Sequence, residues 1–268
     1  MAIKIIFSDI DGTFLNSQKK VTDLTAQTVK SIIAKNLKFV LVSARMPEAI
    51  YPITEKIGVK IPVISYNGAL ILTEDEKILN DKKILAVDAK NILSEMFKSW
   101  DDISVGYYAG RKWFVQKIDE RIEYEIKSTK VQTEISNFDE LLEKNILPNK
   151  IFVRCNPKIC EEMEFELGKK FKNLNVVRSA PHLLEVMDKS VSKAEGIKIL
   201  LNHYGASKDE AIAFGDNYND IEMLRYIPRS VAMANAPDGV RKFARFVTDS
   251  NDDSGIYTYL AKIGLIEK

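Results

Sequence analysis

The sequence predicts an α/β protein: a parallel-sheet core assembled from both ends of the chain, with an α+β segment inserted between them. Three observations carry this. Over the first 72 residues, nearly unbroken apolar runs alternate with helix-type patterns, as a parallel sheet covered on both faces requires. The middle of the chain breaks instead into pairs of short strands around turns, mixed with helices. From Ser190 the first pattern returns.

Taken in order, residues 3–8 (Ile3-Lys4-Ile5-Ile6-Phe7-Ser8) read as a strand. Residues 22–35 carry Leu24, Val29, Ile32 and Ile33 at helical spacing, with Thr22 as N-cap. Residues 39–43 are a second apolar strand. Pro47–Ile57 is a helix with Pro47 in its first turn, and residues 62–65 are a short buried strand. Residues 70–72 and 77–79 flank Glu74-Asp75-Glu76 as a hairpin. A helix over 88–100 follows, then a hairpin of 104–108 and 112–116 around Ala109-Gly110, a helix over 119–127, a strand over 150–155 and a helix over 157–171. Residues 174–178 and 183–187 enclose Ser179-Ala180-Pro181-His182 as a last hairpin. Residues 191–204 are helical, 211–214 a strand, Ile221–Tyr226 a short helix, 230–233 and 246–248 short strands, and 255–263 a closing helix. The expected organisation is a Rossmann-like core of residues 1–81 and 187–268, interrupted by an α/β domain over 82–186. No repeat, low-complexity segment or flexible linker is visible.

Composition narrows the class without choosing within it. The chain has 268 residues, 46% hydrophobic and 29% charged, ordinary for a globular protein with a sizeable core. Lys and Arg number 39 against 38 Asp and Glu, so no global field points to nucleic acid or an anionic membrane. Two cysteines, Cys155 and Cys160, and two histidines argue against a zinc site or a disulfide framework. Asp9 and Asp11 interrupt any apolar leader, and no apolar stretch approaches the roughly 18 residues of a membrane span. The expected compartment is a reducing cytoplasm.

The chemistry concentrates where core strands end. Asp9 and Asp11 stand two apart at the end of the first strand, so both face the same side. Gly12 permits a sharp turn there, and clustered acids need a cation or a shared proton. Alone, this stretch reads equally as an Asp-Gly turn with solvated carboxylates. Three further strand ends carry polar clusters: Ser43-Ala44-Arg45, Tyr66-Asn67-Gly68, and Gly215-Asp216-Asn217-Tyr218-Asn219-Asp220. Ligands of open parallel sheets bind outside the carboxyl ends of the strands, so four clusters on that edge outweigh their separate readings as caps, turns and solvated loops.

With these residues in hand, the chain resembles a haloacid dehalogenase-superfamily phosphatase of the Cof-type subfamily IIB, whose α/β (C2-type) cap is inserted before the third motif. The resemblance spans essentially the whole chain. It rests on Asp9-Ile10-Asp11-Gly12-Thr13, on Ser43 after the second strand, on Lys193 within Val191–Gly196, and on Gly215-Asp216-x-x-Asn219-Asp220. Residues 231–236 (Val-Ala-Met-Ala-Asn-Ala) also resemble a family segment downstream of the last motif.

The resemblance implies a nucleophile, Asp9, that forms an aspartyl-phosphate, and an acid/base, Asp11, for the leaving alcohol and the water. It implies Mg2+ held by Asp9, Asp11 (through its carbonyl), Asp216 and Asp220, with Asp220 and Asn219 acting nearby. Lys193 would bridge the nucleophile and the phosphoryl oxygens. Those oxygens would also be held by the Ser43 hydroxyl, the Ala44 N–H at a helix start, N–H groups near Ile10 and Asp11, and Asn219. Arg45, Asn67, Gly68 and His182 are candidates for substrate contact. Arg45 as a surface ion pair and Asn67-Gly68 as a plain turn stand as alternatives. The implied substrate is a small phosphorylated metabolite such as a sugar phosphate, chosen by cap loops, with no nucleic acid or membrane partner and a monomer or small homo-oligomer as the working form. A phosphomutase of the same superfamily and a catalytically silent phosphometabolite sensor are the competing readings. A P-type ATPase lacks its membrane spans here, a serine hydrolase lacks a base near Ser43, and a receiver domain would carry its acceptor aspartate after the third strand.

Overall fold

The computed structural model describes residues 2–267. They fall into two compact units, one within Met1–Asn80 and Ser192–Lys268, the other Asp81–Val191. Among the described residues, no helix is long and apolar enough to cross a membrane.

The first unit opens with β1 (Ile5–Asp9), α1 (Asp23–Ala34), β2 (Lys38–Val42), α2 (Pro47–Ile57), β3 (Val63–Ser65), β4 (Leu70–Leu72) and β5 (Ile78–Asp81). All five residues of β1 are buried, as befits a strand with neighbours on both sides and helices on both faces. α1 starts where Thr22 Oγ1 accepts from the Thr25 N–H at 3.1 Å, and it buries Val29 and Ile32. α2 has Pro47 in its first turn and ends on Gly58 in the left-handed region.

The second unit runs α3 (Ala86–Ser99), β6 (Ile103–Ala109), β7 (Lys112–Val115), α4 (Glu120–Thr129), β8 (Glu134–Ile135), α5 (Phe138–Glu143), β9 (Lys150–Cys155), α6 (Pro157–Lys170), β10 (Leu174–Ala180) and β11 (Leu183–Asp188). Its sheet has the order β10-β11-β9-β6-β7-β8, antiparallel except for β7 with β8. Alternate residues Tyr107, Ile151 and Val153 pack against Ile92 and Met96 of α3, Phe138 and Leu141 of α5, and Met163 and Leu167 of α6. The sequence did not announce β8 or α5. Glu134 and Ile135 are both exposed and too few to show an alternation, and α5 has only six residues.

The chain then resumes the first unit with α7 (Lys193–His203), β12 (Ala211–Gly215), α8 (Ile221–Tyr226), β13 (Arg229–Ala232), α9 (Asp238–Arg241), β14 (Phe246–Val247) and α10 (Gly255–Lys262). The sheet order is β14-β13-β12-β1-β2-β3-β4-β5. β1 lies between β2 and β12, parallel to both, with Phe7 opposite Val40 and Ala213. Ile5, Phe7, Val40 and Val42 bury one face against Ile197, Leu200 and Leu201 of α7 and Met223 of α8. The segment expected as a hairpin, residues 70–79, extends this sheet, and β4 runs antiparallel to β3. The core is therefore parallel from β14 to β3 and closes on an antiparallel edge, a common arrangement in doubly wound folds.

Candidate active site

Because β1, β2 and β12 are parallel neighbours, Asp9, Ser43 and Asp216 leave their strands on one edge of the sheet. Lys193 reaches the same edge from the first turn of α7, whose N-cap Ser192 Oγ accepts from the Glu195 N–H at 3.3 Å. Its approach depends on Gly68, whose φ is +112°. A Cβ on Gly68 would sit 2.4 Å from the Ser192 carbonyl oxygen, so only glycine lets the start of α7 come this close to the turn after β3. Gly68 thus has a packing role.

Lys193 is fully buried, with Nζ 2.5 Å from Asp9 Oδ1 and 2.5 Å from Asp220 Oδ1. The other Asp220 oxygen accepts the N–H groups of Asp216 and Asn217, each at 2.9 Å. Asp220 therefore spends both oxygens on shaping the loop and anchoring the lysine. Asp216 has one carboxylate oxygen 2.6 Å from the Thr13 hydroxyl, which donates to it. The other faces Gly12, at φ +86°, where an added Cβ would lie 2.3 Å from Asp216 Oδ2. The turn after Asp11 must be glycine both for its backbone and for the carboxylate beside it.

Asp11 is held apart from this cluster. Arg45 grips it in bidentate fashion, Nε to Oδ2 at 2.8 Å and the terminal nitrogen to Oδ1 at 2.7 Å, and Lys19 Nζ adds a contact of 2.9 Å to Oδ1. Ser43 is buried, and its hydroxyl accepts the Arg45 N–H at 3.1 Å while its carbonyl accepts the Asn67 N–H at 2.8 Å. Asn67, buried and in the left-handed region at φ 54°, belongs to the turn after β3. Ala44 lies in the loop ahead of α2, whose first residue is Pro47, rather than at the helix start. Ile10 is buried, and its carbonyl accepts the N–H groups of Phe14 and Leu15. Asn219 is exposed in the turn Tyr218–Asp220. His182 lies exposed in the β10–β11 turn of the second unit, its carbonyl accepting the Cys155 N–H at 3.3 Å.

The electrostatics follow the packing. Burial pushes the Asp9 carboxyl well above its ordinary range; Lys193 pulls it back, and Asp220 and Asp216 push it up further. Burial likewise carries Asp216 up to about 6, against the Thr13 hydrogen bond and with repulsion from Asp220. Burial opposes the charge on Lys193, but Asp220 and Asp9 outweigh it and hold the ammonium above its ordinary range. At Asp11 burial is outweighed by Arg45, then Lys19, and the carboxyl is held below its ordinary range.

Asp9, Asp216 and Asp220 offer oxygens within 4.8 Å of one another, three acids around the single ammonium of Lys193. Such a deficit of positive charge, in an all-oxygen donor set, suits a hard divalent cation. Two residues of this region were not singled out from sequence. Thr13 lies inside the quoted motif, where its hydroxyl could have been read as a hydrogen-bond donor. Lys19 gave no signal, because its place beside Asp11 depends on a left-handed backbone (φ 59°) that lysine rarely adopts.

A family model described as haloacid dehalogenase-like hydrolase matches residues 6–260. A Haemophilus influenzae protein named "Putative phosphatase" is 32% identical over 257 residues, 96% of this chain and 96% of that one. A haloacid dehalogenase-like hydrolase from Bacteroides thetaiotaomicron superposes with a TM-score of 0.87 at 25% identity, covering 97% of this chain and 99% of that one. BT1666 of the same organism, described among phosphatases of the haloalkanoate (HAD) superfamily, gives 0.84 at 26% identity over 99% of this chain and 96% of its own. The chain belongs to the haloacid dehalogenase-like hydrolase family.

Proposed function

We propose that this phosphatase is Mg2+-dependent and hydrolyses small phosphorylated metabolites, sugar phosphates or similar phosphomonoesters, through an aspartyl-phosphate on Asp9. The observation that carries the reading is the Lys193 ammonium 2.5 Å from both Asp9 and Asp220, beside Asp216, with Asp11 a separate carboxylate under Arg45. The Lys193 ammonium pulls Asp9 back toward the carboxylate that a nucleophile needs, against the burial that raises it, and leaves a cation where phosphoryl oxygens would lie. Mg2+, held by Asp9, Asp216 and the Asp11 carbonyl with Asp220 behind them, would neutralise the phosphoryl charge and orient its oxygens.

Asp9 Oδ attacks phosphorus and the P–O bond to the alcohol breaks, its electron pair leaving on the alcohol oxygen. Asp11 in its acid form gives that oxygen a proton. Asp11, now a carboxylate, takes a proton from water, whose oxygen attacks phosphorus and releases Asp9 and inorganic phosphate. Arg45 and Lys19 favour the carboxylate form that the second half needs. The Ser43 hydroxyl and N–H groups of the Ile10–Asp11 and Ala44 loops complete the inventory of donors for the phosphoryl oxygens.

A phosphate-release screen over phosphorylated metabolites, with and without Mg2+ and beside Asp9→Asn, tests this reading. Release that depends on both Mg2+ and Asp9 supports it. Release surviving both chelation and the substitution overturns it, and inactivity on every compound moves the chain to the sensor reading.

A further inference from the structure

Asn235, in the segment after β13, makes contacts that neither the fold nor the chemistry above has used. Its Nδ2 donates to the Gly12 carbonyl at 2.8 Å. Its Oδ1 accepts the Asn251 N–H at 3.1 Å, and Asn251 Nδ2 in turn donates to the Leu15 carbonyl at 2.8 Å. The carbonyl of Gly12 needs a donor and the N–H of Asn251 needs an acceptor, so one amide orientation serves both and a carboxylate could not. Two residues earlier, the Met233 N–H donates to the carbonyl of Gly215, the residue before Asp216, at 3.1 Å. The stretch from Met233 to Asn235 is thus a strap whose two ends hold the Asp216 loop and the Gly12 turn.

What the strap spaces is the Asp216 carboxylate. Gly12 lies so close to it that a Cβ would fall 2.3 Å from Oδ2, and the next residue, Thr13, donates its hydroxyl to Oδ1 at 2.6 Å. A shift of the Gly12 peptide would move the turn against Asp216 or draw the Thr13 hydroxyl away from it. We propose that Asn235 is a positioning residue of the metal site, acting through the Gly12–Thr13 turn on the direction in which Asp216 presents its oxygens. This inference rests on the Mg2+ reading above. Outer hydrogen bonds that orient a ligand are worth much of a site's affinity, and here the orienting group is two links removed.

The test is a calorimetric titration of the protein with Mg2+ alone, on the wild type, Asn235→Ala and Asn235→Asp. It is run beside p-nitrophenyl phosphate hydrolysis at varied Mg2+ and thermal melts in chelator. The expected result is a Kd for Mg2+ weaker by about fivefold in Asn235→Ala, which loses both the bond to the Gly12 carbonyl and the one from the Asn251 N–H, with the Gly12 bond the one that acts on the site. Asn235→Asp keeps the acceptor for Asn251 but turns an oxygen on the Gly12 carbonyl, so it too should weaken Mg2+. In both variants kcat should recover at saturating Mg2+ and the KM for the ester should hold. Unchanged Mg2+ affinity in both variants, or a lower kcat that no Mg2+ concentration restores, would overturn the positioning role while leaving the metal reading intact. A wild type that binds no Mg2+ would overturn both.

Discussion

Replacing Lys193 by methionine probes the charge balance of the site most severely. The side chain is fully buried, and its Nζ lies 2.5 Å from Asp9 and 2.5 Å from Asp220. Methionine fills comparable space but removes the ammonium that both carboxylates share. Breaking a buried ion pair by deleting one partner costs about 3–5 kcal/mol, because the remaining charge stays buried and uncompensated. At about 2–4 °C per kcal/mol for a chain of this size, Tm should fall by roughly 6–20 °C. The pH dependence has a definite sign. Lys193 pulls Asp9 down, so its loss carries that carboxyl further above its ordinary range. A group whose folded-state pKa exceeds its unfolded value binds a proton more tightly in the folded protein, so stability rises as pH falls through the folded value. The gap between wild type and variant should therefore grow as pH rises and shrink as it falls. Thermal melts by circular dichroism of chelator-treated protein at about pH 7.5 and about pH 5.5 measure it. A gap below ~1 kcal/mol, or one equal at both pH values, would refute the claim that the lysine's charge holds the two acids together.

Three other perturbations follow from the same geometry. Arg45→Ala removes the bidentate grip that holds Asp11 down, so the carboxyl should keep its proton to higher pH and the alkaline limb of the kcat profile should move up; an unmoved limb counts against Asp11 as the acid. Gly12→Ala should cost about 1–2 kcal/mol for a left-handed alanine and should weaken Mg2+ by calorimetry, because its Cβ would lie 2.3 Å from Asp216 Oδ2. Away from the site, Glu74 is drawn to about 2: burial would raise it, but hydrogen bonds from Lys38 and Tyr204 outweigh that. A depressed carboxyl stabilises the fold above its unfolded value near 4.5 and loses that contribution as pH falls toward 2. Since this pair is partly exposed, Glu74→Gln should cost only about 1 kcal/mol at neutral pH, measured by urea unfolding, and almost nothing near the lower limit.

How far the sequence led depended on the kind of signal each residue gave. The strands β1, β2 and β12 were legible because nearly unbroken apolar runs, buried on both faces, leave a continuous pattern, and Asp9, Ser43 and Asp216 lie at or just past their ends. α1 was legible down to its Thr22 cap, and α2 through Pro47. Lys193 was not visible as chemistry by periodicity; its place at the start of a helix is ordinary for a solvated lysine, and the motif singled it out. Arg45 stood open between substrate contact and surface ion pair, and the structure gives it Asp11 as partner, a contact 34 residues apart that no local rule encodes. The antiparallel turn of β4 was illegible because three residues carry no direction. The Asn235–Gly12 bond joins positions 223 residues apart, where only the assembled sheet brings the two loops together.

Covalent catalysis by Asp9 is tested most directly by locating the phosphoryl group during turnover. Wild-type protein with Mg2+ and a hydrolysable phosphomonoester would be quenched in acid within one turnover, digested and read by mass spectrometry. A phosphorylated peptide containing Asp9 is expected, absent from Asp9→Asn and chased away by further incubation. Phosphate release with no modified Asp9 peptide at any time, or a label that resides on another residue, would contradict it.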